Sequence, residues 1–246
     1  MPFPLAHPAA VLPLRRCCPR RLHFPALVFG SLSPDAGYAF GNGDFSHSFF
    51  SGSFAFCLPV GLLMLACFYA LRLPLVAILP ARLKEAFLPP CQRPVGSLFL
   101  IVPSLLIGAW THLFLDSLTH ADGWMVGHLS FLQKSVPLMW TGGIKGYEAL
   151  YAGCTLLGVA WLAVCYWRWL EMAAGLPAFT KRWVMLGFSF LFAVTILCVA
   201  TASRGEHRLI GDVPLAIITL LLVIAFMAGT AIPLITSAAT KSKIAG

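Results

Sequence analysis

The chain has 246 residues, of which 59% are hydrophobic and only 11% are charged. Soluble domains carry about 25% charged residues, so this chain has too few to cover a surface that faces water on all sides. Its net charge of +8 is not organised as a basic helix or an aromatic sheet motif, which argues against nucleic-acid binding. We therefore expect a membrane protein whose basic loops face the anionic cytoplasmic leaflet.

The first 53 residues predict a hairpin that enters the membrane without crossing it. Two apolar stretches, 3–14 and 22–32, flank a basic turn that contains Arg15 and Arg21. Each stretch is shorter than the roughly 20 apolar residues that a membrane crossing needs. A pair of half-helices must pack against protein, because their ends would otherwise expose backbone groups to lipid. The polar segment "GNGDFSHS" then leads into the first full span.

Five later segments are long and apolar enough to cross the bilayer, or nearly so, and should be helical because lipid offers no partner for backbone groups. They are 54–71, 98–115, 149–167, 183–202 and 213–235. The predicted fold is an all-α, polytopic membrane helical bundle of about five transmembrane helices plus the N-terminal half-helix hairpin. It forms a single integral membrane domain over 1–246, divided into 1–53 (hairpin and polar loop), 54–120 (first two spans), 121–148 (outer loop) and 149–246 (three spans and tail).

Lys and Arg residues predict the orientation of these spans. They concentrate in the loop after the first span, in the loop after the third and in the C-terminal tail, at Arg72, Arg82, Lys84, Arg93, Arg168, Lys181, Arg182, Lys241 and Lys243. All three regions fall on one side if the five spans are real. Short basic loops remain cytoplasmic, so we expect a multi-pass plasma (inner) membrane protein with a cytoplasmic C-terminus. No oligomeric state follows from the sequence.

The end of the second span carries an unusual polar stripe. In "AWTHLFLDSLTH", His112, Asp116 and His120 recur every four residues and share one helix face. A single histidine at such a place is commonly an interfacial residue that meets water. A carboxylate flanked by two imidazoles near membrane depth is costly and favours a functional site.

The predicted topology brings further ligand-type residues to the same outer level. His47 precedes the first span, while His7 and Asp35 lie at the two outer ends of the hairpin. Each has an ordinary reading as well, since His7 could cap a helix, Asp35 could serve a turn and His47 could be solvated. Together, imidazoles and carboxylates are the ligands that suit a divalent metal such as zinc. No CxxC pair offers a thiolate alternative.

The same residues carry a family resemblance. "PLAHPAAVLPL", "GSLSPDAGY", "HSFF" and "GAWTHLFLDSLTH" resemble the bacterial membrane family called domain of unknown function 4184 (DUF4184). More distantly, they are similar to inner-membrane metal-dependent hydrolases, which combine an N-terminal His, a Pro-Asp, a His-Ser and a His-x-x-x-Asp. The resemblance implies that His7, Asp35, His47, His112 and Asp116 are metal ligands. It leaves His120 as a ligand or as a partner of one.

The function expected from these patterns is metal-dependent hydrolysis of a phosphoester or a lipid-linked, amphiphilic substrate at the outer face. Asp35 and Asp116 are the candidate catalytic residues, one holding the metal and the other acting as general base. The alternative is a non-enzymatic membrane protein, a transporter or an assembly factor, whose polar cluster binds a cation. A third possibility is a purely structural hydrogen-bonded network among helices.

Overall fold

The protein is described here by a computed structural model that covers residues 6–18, 21–39, 41–79, 81–136 and 143–175. Within those ranges the chain is almost entirely helical. The helices are α1 (Pro8–Cys17), α2 (Phe24–Leu32), α3 (Ala36–Ala39), α4 (Gly43–Ser46), α5 (Leu58–Ala77), α6 (Ala81–Cys91), α7 (Leu98–Thr119), α8 (Trp124–His128), α9 (Ser130–Gln133) and α10 (Gly146–Ala174). A π-helical turn, Ser53–Cys57, leads directly into α5, and two-residue strands β1 (Ser135–Val136) and β2 (Ile144–Lys145) pair antiparallel.

Three helices are long and apolar enough to cross a membrane: Ser53–Ala77, Leu98–Thr119 and Gly146–Ala173. They correspond to the first three predicted spans and confirm the all-α membrane fold. The predicted fourth and fifth spans, 183–202 and 213–235, lie outside the described residues. A short helix also follows the first span, where α6 begins at Ala81.

The N-terminal segment folds as two short helices. Helices α1 and α2 contain 10 and 9 residues, so each is roughly 15 Å long or slightly less, about half of a hydrocarbon core. Pro8 starts α1, and Pro25 lies in the first turn of α2, where a missing backbone donor costs nothing. The ring of His23 caps α2 by accepting a hydrogen bond from the backbone N–H of Ala26 at 3.2 Å.

Helix α2 runs parallel to α7, and two hydrogen bonds fix the pairing. The backbone N–H of His23 donates to Ser104 Oγ at 2.8 Å. Two turns further along both helices, the backbone carbonyl oxygen of Ser31 accepts from the His112 ring, also at 2.8 Å. Both pairs are 81 residues apart in sequence, so the register stays constant over two turns. The backbones come so close that a Cβ on Gly108 would collide with the carbonyl oxygen of Leu27. Small residues at such contacts are typical of membrane helix packing.

The described residues divide into two compact units, one within Met1–Tyr69 and Val95–Leu162 and the other within Ala70–Pro94 and from Ala163 onward. In the first, a hydrophobic core gathers around Ala26, Leu65, Ile101 and Leu105. In the second, Leu83 and Leu170 are buried together and the rings of Phe87 and Trp169 meet edge to face. All six candidate site residues belong to the first unit.

The predicted outer loop, 121–148, has structure of its own. Helices α8 and α9 and the two short strands follow α7, and Val126, Leu132 and Tyr147 are buried together there. A small apolar cluster therefore anchors this segment at the C-terminal end of α7 and the N-terminal end of α10.

Candidate metal centre

Five of the six candidate residues meet near the C-terminal end of α7, with the Asp116 carboxylate among three imidazoles. Asp116 Oδ2 lies 3.1 Å from His112 Nε2 and 3.3 Å from His47 Nε2, and Oδ1 lies 3.7 Å from His7 Nε2. Asp35 Oδ1 lies 3.6 Å from His112 Nε2. The convergence expected from topology is therefore present. Residues from four separate parts of the chain reach one point.

His112 is oriented by the neighbouring helix. Its Nδ1–H donates to the backbone carbonyl oxygen of Ser31 at 2.8 Å, and the side chain is fully buried. A carbonyl can only accept, so this bond places the proton of a neutral ring on Nδ1 and leaves the lone pair on Nε2. That lone pair faces Asp35 and Asp116. A backbone partner on the second nitrogen is the usual arrangement for a metal-binding histidine.

His47 is held in the same way by its own loop. Its Nδ1 lies 2.8 Å from the carbonyl oxygen of Gly43 and 3.0 Å from Ser46 Oγ. The short helix α4 thereby turns Nε2 of His47 toward Asp116. The hydroxyl of Ser46, which is completely buried, lies within hydrogen-bond distance of the carbonyl oxygens of Pro34 (2.9 Å) and Gly43 (2.8 Å). One serine thus connects the loop that carries His47 to the segment that carries Asp35.

His7 occupies the N-cap position of α1 and is 1% exposed. Its ring stacks on that of His112, with centroids 3.6 Å apart and planes inclined by 20°. The preceding residue, Ala6, is buried against Val159. Burial, assisted by the neighbouring His112, lowers the pKa of His7 well below its ordinary value, so the ring is neutral at pH 7 and has a free lone pair.

Asp35 follows the buried Pro34 at the end of α2, and its side chain is 11% exposed. Burial raises the pKa of Asp35 to about 6, although the nearby His112 acts in the opposite direction. Neither carboxylate oxygen of Asp35 makes a hydrogen bond within the part of the chain that the structure describes. A buried carboxyl without donors is costly.

Unsatisfied atoms are concentrated at this point. Among the described residues, both ring nitrogens of His7, Nε2 of His47 and of His112, and all four carboxylate oxygens of Asp35 and Asp116 are buried without a hydrogen bond. Buried polar groups nearly always have partners. Separations of 3.1–3.7 Å are close to those between ligands that surround an ion at about 2.0–2.1 Å. The residues present therefore fit a divalent metal.

Two overlapping groups have the spacing of metal ligands. One contains His7, Asp35 and His112, and the other contains His47, His112 and Asp116; the ligand atoms in each lie within 4.8 Å of one another.

His120, the sixth candidate, belongs to neither group. Its Nδ1 lies 3.9 Å from Asp116 Oδ1, and the same nitrogen bonds to the Asp116 backbone carbonyl at 3.0 Å. Burial lowers the pKa of His120. His120 thus stands at the edge of the cluster and is half-buried.

Other polar residues of the segments next to α7 do not contribute to this centre. Asp44 is exposed on α4, and His128 is exposed with its Nδ1 bonded to the Trp124 carbonyl at 2.7 Å. Glu148 accepts from the backbone N–H of Lys145 at 2.9 Å. His207 lies outside the described residues.

Sequence reasoning did not identify the groups that hold the ligands. Ser31 and Gly43 act through backbone carbonyls, which no sequence motif marks. Ser46 stood next to a candidate histidine but was not singled out. The one available signal was the pair Ser104 and Gly108, two small residues four apart on α7, a spacing typical of close helix packing.

The comparisons with known proteins agree with the family resemblance of these segments. The family described as domain of unknown function (DUF4184) matches residues 1–239. No curated protein and no solved structure matches the chain significantly. Since the match extends over nearly the whole chain, including every residue of the cluster, the protein belongs to the DUF4184 family.

Proposed function

We propose that this protein is a membrane-embedded, metal-dependent hydrolase that acts on a phosphoester or on a lipid-linked substrate. The observation that carries the proposal is the cluster of buried ligand atoms around Asp116 that make no hydrogen bond among the described residues. A structural network would pair its donors and acceptors. Here the lone pair on His112 Nε2 faces a carboxylate oxygen at 3.1 Å, which is favourable only with a cation or a proton between them.

A divalent metal accounts for the cluster better than protons do. A proton can satisfy one nitrogen and one oxygen at a time, and the 3.7 Å between His7 Nε2 and Asp116 Oδ1 is too long for a hydrogen bond. An ion satisfies several lone pairs together. The residues that would hold metal in this centre are His7, His47, His112 and Asp116, with Asp35 beside them. Neutral imidazoles and carboxylates favour zinc or a related metal. Such an ion lowers the pKa of a bound water and polarises a phosphoryl group.

The two carboxylates have different surroundings, which suggests different roles. Asp116 lies within 3.7 Å of three imidazole nitrogens, so it is the carboxylate that holds the metal. Asp35 is within 3.6 Å of one, that of His112, and is somewhat more exposed. We assign it the role of general base, which accepts the proton of the attacking water. His47 and His112 remain fixed because their second nitrogens are bonded to backbone carbonyls.

The depth of the cluster favours a substrate that resides in the membrane. Asp116 and His112 precede Thr119, the outer end of α7, by three and seven residues, which places them about 5 Å and 10 Å below that end. This is near the headgroup level of a lipid. Phe45, Phe49 and Phe50, on either side of His47 in the sequence, are exposed. We infer that acyl chains contact these rings while the phosphoester reaches the carboxylates.

Metal analysis of detergent-purified protein tests the metal, and a lipid panel tests the chemistry. We expect bound zinc or a related metal in the wild type, and loss of it in Asp116→Asn and His112→Ala. His128→Ala is the matched control, since that histidine is exposed. Release of phosphate or diglyceride from lipids in mixed micelles should follow the metal content. Wild-type protein without metal would refute the proposal. If proteoliposomes containing the protein accumulate metal and no lipid is hydrolysed, the protein is a transporter.

We further propose that the protein resides in the plasma (inner) membrane with the cluster on the side opposite the basic loops. The segment between the first two spans contains Arg82, Lys84 and Arg93, and short basic loops stay in the cytoplasm. The C-terminus then faces the cytoplasm. A C-terminal green fluorescent protein fusion should fluoresce and an alkaline phosphatase fusion should be inactive. The reverse result would invert the orientation.

A further inference from the structure

The arrangement of two histidine rings bears on how many ions the centre binds. The rings of His7 and His112 are stacked, with centroids 3.6 Å apart and planes inclined by only 20°. Each ring presents Nε2 to a different oxygen of Asp116. His7 Nε2 lies 3.7 Å from Oδ1, and His112 Nε2 lies 3.1 Å from Oδ2.

Stacked imidazoles cannot share one ion with good geometry. A metal binds imidazole in the plane of the ring, along the nitrogen lone pair, at about 2.0–2.1 Å. An ion midway between these two rings would lie half of their 3.6 Å separation out of each plane, which is nearly a whole bond length. Ions that lie in the two planes are instead separated by roughly the stacking distance. This agrees with the 3.5–4 Å typical of two-metal hydrolytic sites.

We propose that the centre binds two divalent ions, bridged by the carboxylate of Asp116. This inference rests on the proposed function. The first ion is held by His47, His112 and Asp116 Oδ2, which form one of the groups with ligand spacing. The second is held by His7 and Asp116 Oδ1. His112 serves only the first ion, because its other nitrogen donates to Ser31.

Asp35 borders both positions. Its ligand atom lies within 4.8 Å of those of His7 and His112, which keeps it available as the general base.

Two consequences distinguish this centre from a single-ion site. The second ion has fewer protein ligands than the first, so it binds more weakly and a chelator removes it first. Two divalent ions carry four positive charges against the two carboxylates, Asp35 and Asp116. The remaining positive charge favours an anionic group between the ions, and a phosphodiester or a phosphomonoester provides such a group.

Metal stoichiometry of the full-length protein in detergent tests the inference independently of activity. We expect two ions per chain in the wild type, one in His7→Ala, and fewer than one in Asp116→Asn. His128→Ala should keep two. Wild-type protein that binds one ion at saturation would overturn the second position but leave the proposed hydrolase intact. Wild-type protein that binds none would overturn both.

Electron paramagnetic resonance of Mn²⁺-loaded protein tests the bridge. A carboxylate-bridged pair gives an exchange-coupled spectrum, which should become that of isolated Mn²⁺ in His7→Ala. Two bound ions without coupling would contradict bridging by Asp116. Should His7→Ala fail to fold, chelator titration of the wild type decides the question. The inference requires that the coupled signal convert to an isolated one as the first ion equivalent leaves, and a single-step loss would overturn it.

Discussion

The Nδ1 of His112 donates to the backbone carbonyl oxygen of Ser31 at 2.8 Å, across the interface between α7 and α2. This contact exists because the two helices approach closely, with Gly108 of α7 lying against the backbone of α2 at Leu27 and Ser31. The orientation of a candidate metal ligand therefore depends on a glycine one helical turn away. The packing of α2 against α7 therefore helps to position the ligands of the candidate metal centre.

We expect Gly108→Ala to damage the centre without altering any ligand. The added methyl group would collide with the backbone of α2, and overpacking of this kind typically costs about 1–3 kcal/mol. Displacement of α2 moves Ser31 away from His112, so metal content and thermal stability in detergent should fall together. Gly153→Ala in α10 is the control, because a Cβ there meets nothing within 4 Å. Equal metal contents in the two variants would show that the close approach is unimportant.

Ser46→Ala should weaken metal binding while leaving the ligands in place. The hydroxyl joins His47 Nδ1 to the carbonyl oxygen of Pro34, and loss of such supporting partners typically lowers metal affinity by about 10–100-fold. Competition with a chromophoric chelator measures the change. Ser117→Ala removes an exposed hydroxyl that bonds only within α7, and its affinity should match that of the wild type. An unchanged affinity in Ser46→Ala would mean that the Gly43 carbonyl alone orients His47.

His120→Ala should retain metal, in contrast to His112→Ala. In the structure the Nδ1 of His120 is engaged with the Asp116 backbone carbonyl at 3.0 Å, and the residue belongs to neither group with ligand spacing. The test is to purify His120→Ala and His112→Ala in parallel and to measure the metal content of each. Loss of an ion in His120→Ala would show that His120 is a ligand, as the stripe on α7 first suggested.

His23 gives a prediction about stability that does not involve the metal. Its Nδ1 accepts from the Ala26 N–H, and its Nε2 lies 3.0 Å from the Tyr69 hydroxyl, so the cap requires a neutral ring. Removing a side-chain cap costs about 1 kcal/mol. We therefore expect His23→Ala to lower the melting temperature at pH 7.5, and His23→Asn, which keeps an acceptor, to lower it less. Identical losses in the two variants would argue against capping.

The same cap should depend on pH. Burial lowers the pKa of His23 below 6.5, so the unfolded chain binds the proton more readily than the folded one. The stabilisation is complete above the unfolded pKa and is lost as pH falls through 6.5 toward the lowered value. The difference in melting temperature between wild type and His23→Ala should shrink between pH 7.5 and pH 5.5. A constant difference would show that His23 contributes only packing.

Local patterns in the sequence predicted much of the fold. Three apolar runs form helices long enough to cross a membrane, because a helix satisfies about 20 backbone amides within a single segment in lipid. The stretches 3–14 and 22–32 were predicted as half-helices because they are too short to cross. Likewise, His112 and Asp116 had to share a face, since a helix returns to the same side every four residues.

Tertiary structure decided what these patterns could not. Length and periodicity are local properties, whereas the meeting of His7, His47 and Asp116 depends on contacts between segments far apart in the chain. Backbone carbonyls determine which ring nitrogen of His47 and of His112 carries a proton, and no sequence motif marks a backbone carbonyl. The stacking of His7 on His112, on which the proposal of a second metal position rests, depends on a few ångströms in side-chain placement. Only the close packing of α1, α2 and α7 fixes distances at that scale, because each helix surface limits where its neighbour's side chains can lie.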